Sequence, residues 1–145
     1  MATVLIVDDE QHIRELLGHL VRKDGHEVLE ADSAEAALRV LEQRQAAVVF
    51  TDIQMPGHDG RWLTIELRKR YPQTAIVLAT SVTDLEPTIT LRFGVLSYLT
   101  KPFDLDAVGE ALRMALEWHA ETAKGGTAAV EEERLEAWLD SLEIL

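Results

Sequence analysis

Acidic, hydroxyl and basic side chains stand at the ends of four apolar runs in this sequence. Asp8 and Asp9 follow the first run, Asp52 follows the second, Thr80 closes the third, and Lys101 comes shortly after the fourth. Carboxylates gathered at one place repel one another unless a cation neutralises them, and a neighbouring lysine favours a bound anion. Mg²⁺ prefers oxygen ligands and commonly joins carboxylates to phosphate oxygens. The combination therefore predicts a phosphoryl group held together with Mg²⁺.

These side chains meet only if the apolar runs are strands of one parallel sheet. The runs are continuously apolar, as in strands buried on both faces, and segments with helical spacing of apolar residues separate them. Ligands of open α/β sheets bind at the carboxyl ends of the strands. We therefore predict a doubly wound α/β domain, a five-stranded parallel sheet with helices on both faces. The predicted strands span residues 3–7, 27–30, 46–51, 75–80 and 95–99.

Each candidate residue also has a purely structural interpretation. Aspartate is a favoured N-cap, so Asp8, Asp9 and Asp52 can cap the helices that follow them. Threonine is common at strand ends, and a tyrosine such as Tyr98 packs readily over its own strand. These alternatives account for each residue singly. They do not account for three carboxylates and a lysine at one edge of a sheet.

Composition and charge exclude several classes of protein. The chain has 145 residues, no cysteine and a net charge of −12. It therefore has no disulfides and no thiolate metal site, and its acidic surface disfavours direct binding of nucleic acid. No apolar stretch is long enough to cross a membrane, and no basic region precedes the first run. We expect a cytoplasmic protein with no membrane partner.

The motifs around these residues resemble those of the receiver domain of two-component response regulators. The motifs are VDDE at 7–10, TDIQMPGHDG at 51–60, LAT at 78–80 and YLTKPF at 98–103. Their order and spacing are specific, although no single motif is decisive, and the similarity covers about residues 2–121. The resemblance implies a flavodoxin-like sheet with the strand order 2-1-3-4-5.

The resemblance also implies roles for the acidic residues. Asp52 is expected to accept a phosphoryl group from a sensor histidine kinase or a phosphotransfer protein. Asp8, Asp9 and Asp52, with the backbone carbonyl of Gln54, are expected to hold Mg²⁺, and Asp8 is expected to act largely through water. By this resemblance the protein is not an enzyme but a phosphoacceptor that assists its own phosphorylation and dephosphorylation.

Further residues belong to the expected switch. By the resemblance, Lys101 pairs with a phosphoryl oxygen and precedes a cis peptide bond to Pro102. Thr80 is the expected switch hydroxyl, and Tyr98 is the aromatic residue that moves with it. Counting back from the lysine places Ala79 in the switch position instead, but alanine has no hydroxyl. The switched surface consists of the fourth helix, the fifth strand and the fifth helix, and it controls a partner or homodimerisation.

The end of the chain differs in character from the rest. Residues 1–121 form the predicted receiver domain, residues 122–127 a linker, and residues 128–145 an amphipathic C-terminal helix. So short a helix is marginally stable alone, so its apolar stripe needs a partner. That partner is its own receiver, a second copy or another protein. The alternative is that this segment is the stub of an omitted output domain.

Two other functions fit parts of the pattern. A Mg²⁺-dependent phosphatase of the haloacid dehalogenase type also uses an aspartate nucleophile and a lysine. It requires a second aspartate at the position where Gln54 stands. A Rossmann-like nucleotide site requires a glycine-rich loop after the first strand, where Asp8 and Asp9 stand instead. Each alternative therefore lacks a required feature.

Overall fold

Five parallel strands form a single sheet in a computed structural model that describes residues 1–80, 94–125 and 137. The strands are β1 (Thr3–Val7), β2 (Glu27–Ala31), β3 (Val48–Asp52), β4 (Ala75–Thr80) and β5 (Val95–Thr100). The helices are α1 (Gln11–Lys23), α2 (Ala34–Gln43), α3 (Gly60–Arg70) and α4 (Leu105–Gly125). The strand order is β2-β1-β3-β4-β5. The predicted fold class and strand order are confirmed.

An apolar layer covers each face of the sheet. Strand side chains alternate between the two faces, so each central strand contributes to both layers. The layer beneath α2 and α3 includes Leu5, Val49, Ile76, Leu38 and Leu63. The layer beneath α1 and α4 includes Val4, Phe50, Val77, Leu17 and Leu112. Because helices cover both faces, the polar ends of the strands are left as the place where a ligand can reach the sheet.

The end of α4 differs from the sequence-based prediction. We expected a linker at 122–127, but α4 continues through Gly125, so residues 122–125 are helical. The division of the chain into a receiver domain, a linker and a C-terminal segment stays a prediction. Glu121, Ala123 and Lys124 favour helix or tolerate it well, and after Gly109 the next glycine comes only at position 125. The fourth helix of the sequence-based prediction, whose apolar pattern covers about residues 84–93, lies outside the described residues. So does the helix predicted at 128–145, apart from position 137, which is helical and exposed.

None of the helices within the described ranges combines the length and apolar character needed to cross a membrane.

Gly94, directly before β5, has a backbone conformation that other residues rarely adopt. Its φ is +77°, and a Cβ built there would collide with Nη1 of Arg68 and lie 2.9 Å from the ring of Trp118. Arg68 is buried, donates to the backbone carbonyl of Pro72 at 3.2 Å, and places its Cζ 5.6 Å from the Trp118 ring centroid. Its burial lowers the pKa of Arg68 to about 10. Glycine is therefore required both by the dihedral and by the neighbouring side chains.

We expect Gly94→Ala to lower the free energy of unfolding by about 2–4 kcal/mol, because left-handed strain and a steric clash add. Denaturant unfolding measures this difference. Gly109→Ala in α4 is the matched control, since an added Cβ there has no atom within 4 Å. This control should be neutral or stabilising by up to about 1 kcal/mol. Equal free energies of unfolding for the two variants would contradict the conclusion that position 94 requires glycine.

Candidate functional site

Four strand ends bring the predicted residues to one edge of the sheet. Asp8 follows β1, Asp52 ends β3, Thr80 ends β4, and Lys101 follows β5. In the register of the sheet Asp52 is level with Ala79 on the neighbouring strand. Residues far apart in the sequence thus become neighbours, because parallel strands end on the same side.

Lys101 lies between two buried carboxylates. Its Nζ is 2.8 Å from Oδ2 of Asp8 and 3.2 Å from Oδ2 of Asp52. The exposed fractions of the side chains are 12% for Lys101, 1% for Asp8 and 7% for Asp52. Buried carboxylates without a partner are costly, so the ammonium group is what allows two of them to share this space.

The backbone around Lys101 aims its side chain into the pocket. The Lys101 N–H donates to the carbonyl of Thr80 at 2.9 Å, so the pairing of β4 and β5 extends to the site. The Lys101–Pro102 peptide bond is cis, which is the isomer that the resemblance implies.

The ammonium group of Lys101 does not fully compensate the negative charges of Asp8 and Asp52 in the pocket. Burial raises the pKa of Asp52, and the charge of Asp8 adds to this, while Lys101 and the Gln54 N–H act in the opposite direction. Burial by itself lowers the pKa of Lys101, but its hydrogen bond to Asp8 and the charges of Asp52 and Asp8 outweigh burial and raise the pKa. Ionised Asp52 therefore remains under strain beside Asp8, and a further cation would relieve it.

Asp9 and Glu10 extend the acidic group along the turn between β1 and α1. One carboxylate oxygen from each of Asp8, Asp9 and Glu10 lies within 4.8 Å of the other two. Asp9 and Glu10 are exposed, whereas Asp8 is buried. Carboxylate oxygens suit a hard cation, and an open side suits Mg²⁺, which usually keeps several waters. The residues present therefore fit that ion.

Glu10 is the acidic residue to which sequence reasoning assigned no role. Its Oε1 is also 3.9 Å from Nζ of Lys101. Its position after two aspartates was a signal, but a residue one step into a turn can point in several directions. The ligand set that we expected contained Asp52 and the Gln54 carbonyl. Within the described ranges, the close carboxylate cluster contains Glu10 rather than Asp52.

The capping interpretation fails for the three aspartates. The N-cap of α1 is Glu10, and no side chain accepts a hydrogen bond there as a cap. The N-cap of α3 is Asp59, whose Oδ1 accepts the N–H groups of Arg61 and Trp62, both at 3.0 Å. Asp8, Asp9 and Asp52 are therefore not needed to begin these helices, and their side chains remain available for the pocket.

Thr80 and Tyr98 share one face of the sheet. Leu78 pairs in register with Tyr98, and both belong to the layer beneath α2 and α3. Thr80 lies two residues after Leu78 and therefore points to the same face, whereas Ala79 points to the other. Thr80 is 2% exposed. The shared face favours Thr80 over Ala79 as the switch residue whose movement Tyr98 would accompany.

The Tyr98 hydroxyl is buried and has no hydrogen-bond partner among the residues that the structure describes. Burial raises the pKa of Tyr98. A buried hydroxyl without a partner costs about 1–3 kcal/mol, and within the described ranges nothing offsets that cost at Tyr98.

We expect Tyr98→Phe to raise the free energy of unfolding by about 1 kcal/mol, because it removes that unsatisfied group and keeps the ring. Tyr98→Leu, which removes the ring as well, should instead be destabilising. Urea unfolding of both variants tests the pair. A Tyr98→Phe variant that is clearly less stable than the wild type would show that the hydroxyl has a partner.

Comparisons with known proteins identify the same family that the sequence motifs resemble. The family model described as the response regulator receiver domain matches residues 4–113. Response regulator protein FleR of Pseudomonas aeruginosa is 39% identical over 108 residues, which are 74% of this chain and 23% of FleR. Transcriptional regulatory protein GlrR of Escherichia coli is 34% identical over 120 residues, 82% of this chain and 27% of GlrR. The chain thus spans about a quarter of the length of these curated relatives.

A solved structure is also similar over most of this chain. The receiver domain protein from Clostridium thermocellum superposes with a TM-score of 0.72 at 32% identity, covering 81% of this chain and 95% of that one.

Proposed function

Since this chain belongs to the response regulator receiver domain family, we propose that it accepts a phosphoryl group on Asp52 from a sensor histidine kinase or a phosphotransfer protein. The observation that carries the proposal is the Lys101 ammonium group between the buried carboxylates of Asp8 and Asp52. Family membership supports a role in a two-component system, and this geometry supports the choice of residue. The haloacid dehalogenase alternative finds no support in the comparisons.

The proposed reaction is a transfer between two nucleophiles. An Asp52 carboxylate oxygen attacks phosphorus, the bond from phosphorus to the donor histidine nitrogen breaks, and an acyl phosphate forms. The nitrogen keeps the electron pair of that bond. The carboxylate of Asp52 is itself the nucleophile, so the attack needs no general base. Lys101 opposes the rise in the Asp52 pKa that burial causes. Lys101 then pairs with an oxygen of the transferred group. The product is phosphorylated Asp52, so this residue accepts the group and does not catalyse the conversion of external substrates.

The acidic residues are the proposed holders of Mg²⁺. Asp8, Asp9 and Asp52, with the Gln54 carbonyl, retain the roles that the resemblance implies, and the structure adds Glu10 as a fourth carboxylate nearby. When bound, the ion neutralises negative charge on the carboxylates and on the phosphoryl oxygens. Phosphoryl transfer depends mainly on positioning and charge, so the buried Asp8 and the paired Lys101 set the geometry in advance.

The proposed response to phosphorylation runs through Thr80 and Tyr98. Thr80 turns toward the phosphoryl oxygens, and Tyr98 moves on the same face of the sheet. The output surface includes β5 and α4, which is the fifth helix of the sequence-based prediction. It controls a partner protein or homodimerisation, and the C-terminal segment at 128–145 is a further proposed contact for a partner. A cytoplasmic location and the lack of direct nucleic-acid binding remain predictions.

Incubation with a small acyl-phosphate donor and Mg²⁺ tests the proposal. We expect one acid-stable, base-labile phosphoryl group per chain on Asp52, located by mass spectrometry of peptides, and none when a chelator removes the metal. Metal-independent labelling, or labelling of another residue, would contradict it. Steady turnover of a phosphomonoester would favour the phosphatase alternative, and saturable ATP binding would favour the nucleotide site.

A further inference from the structure

We propose that Arg14 is a positioning residue for the acidic pocket, which it serves through the backbone of Asp8. The inference rests on the proposed function, because it concerns the same pocket. Nη1 of Arg14, in the first turns of α1, donates to the backbone carbonyl of Asp8 at 2.7 Å. The Arg14 side chain is 16% exposed, so it is held against the protein rather than extended into solvent.

A second contact holds the other side of the guanidinium group. Nε of Arg14 is 3.4 Å from Oε1 of Glu30 on the edge strand β2. The other carboxylate oxygen of Glu30, Oε2, is 3.9 Å from Nη2 of Arg22, which lies further along α1. A guanidinium group has donors in a rigid, planar arrangement, so it can fix two partners relative to each other. Arg14 therefore ties the turn after β1 to the neighbouring strand.

Asp8 is the residue on which the geometry of the pocket depends. Its N–H donates to the carbonyl of Ala31 at 3.2 Å, and its Oδ1 accepts the Glu10 N–H at 2.9 Å. Its Oδ2 accepts from Lys101 at 2.8 Å. With Arg14 on its carbonyl, all four polar atoms of Asp8 are engaged. Of these partners, Lys101 and Glu10 belong to the pocket, while Arg14 only holds Asp8 in place.

The turn needs such a restraint because its acids repel one another. Asp8, Asp9 and Glu10 are consecutive and crowded, so electrostatic repulsion favours their separation when no cation is present. The carbonyl of Glu10 accepts the N–H of Arg14 at 3.2 Å, while the Arg14 side chain reaches back to Asp8. Arg14 thus closes a ring of hydrogen bonds across the turn. Loss of that ring should loosen the carboxylates before any metal binds.

Arg14→Met in the full chain tests the role, since methionine keeps most of the apolar stem and removes the donors. We expect Mg²⁺ affinity, measured by titration calorimetry, to fall about tenfold, the lower part of the usual range for groups that orient metal ligands. The labelling rate of Asp52 should fall at low Mg²⁺ and return to within about twofold of the wild type at saturating Mg²⁺. Arg14→Lys, which keeps one donor group, should recover part of the affinity.

Arg22→Met is the matched control. Arg22 lies on the same helix and approaches the same Glu30, but Asp8 is contacted by Arg14. Its Mg²⁺ affinity should stay within about twofold of the wild type. Hydrogen exchange of the metal-free proteins adds a readout that does not involve activity. The Glu10 amide, bonded to Asp8, should exchange faster in Arg14→Met and at the wild-type rate in Arg22→Met.

The possible failures are distinguishable. Unchanged Mg²⁺ affinity in Arg14→Met, or an equal loss in Arg22→Met, would overturn the role of Arg14 and leave the proposed function intact. A wild-type protein that binds no Mg²⁺ would overturn both. If Arg14→Met does not fold, Glu30→Gln replaces it as the test, because it weakens the hold on Nε. That variant should lower Mg²⁺ affinity by about threefold, and no change would count against the proposal.

Discussion

Asp52→Asn is expected to take up no phosphoryl group from a small acyl-phosphate donor under conditions that label the wild type fully. An amide cannot form the acyl phosphate that a carboxylate forms, so labelling should fall by at least about 100-fold. The side chain keeps its size, so the pocket should keep its shape. Labelling is followed by intact-protein mass spectrometry in the presence of saturating Mg²⁺.

Asp59→Asn is the matched control for that variant. Asp59 stands in the loop after β3 and caps α3, and asparagine is an equally good N-cap. The control removes one negative charge from the loop between β3 and α3 but leaves the nucleophile, so it should be labelled at nearly the wild-type rate. Undiminished labelling of Asp52→Asn would disprove the assignment of the phosphoacceptor.

The Asp52→Asn substitution should also change the free energy of unfolding in a pH-dependent way. The pKa of Asp52 is raised above 3.8, chiefly by burial, so its ionised form destabilises the folded state at neutral pH. In metal-free buffer at pH 7 we therefore expect urea unfolding to show that Asp52→Asn is more stable than the wild type. The difference should vanish below about pH 3.8, where Asp52 is protonated in both states.

Lys101→Met should produce the largest loss of stability among the pocket substitutions. It leaves the carboxylates of Asp8 and Asp52 buried without their shared cation. Breaking a buried pair in this way typically lowers the free energy of unfolding by about 3–5 kcal/mol. The labelling rate should fall by about 100-fold, since a donor aimed at the phosphoryl oxygens is lost. Urea unfolding in metal-free buffer and timed labelling measure the two effects.

The pKa of Lys101 determines how the stability loss in Lys101→Met depends on pH. The pKa of Lys101 is raised above 10.5, so its contribution to stability is complete below that pH and is lost only as the pH rises through the higher folded value. The difference between Lys101→Met and the wild type should therefore persist up to about pH 9. It should shrink on acidification, because protonation of Asp52 removes the charge that the variant leaves unpaired. Mg²⁺ should raise the unfolding midpoint of the variant more than that of the wild type, because the ion supplies the missing positive charge.

Lys23→Met serves as the control, since Lys23 is exposed at the end of α1. Its effect should stay within about 0.5 kcal/mol, as for most surface substitutions. A Lys101→Met protein that unfolds at the wild-type midpoint would show that Asp8 and Asp52 do not depend on this lysine.

The order of strands and helices and the position of the site could be predicted from the sequence. Continuous apolar runs and helical spacing are local patterns, and they gave the bounds of β1 and β4 correctly. Once the strands are parallel and adjacent, their carboxyl ends must share an edge, so the proximity of Asp8, Asp52 and Lys101 follows without knowledge of any side-chain angle.

The contacts within the site were decided by the tertiary structure. Sequence patterns did not indicate that Glu10 joins the acidic cluster, that Arg14 binds the Asp8 carbonyl, or that Arg68 lies under Gly94. Each of these depends on side-chain rotamers and on the distance between elements that are separate in the sequence. Periodicity specifies which face of a helix or strand is buried, but hydrogen bonds form over about 3 Å, and only the packed chain determines positions that closely.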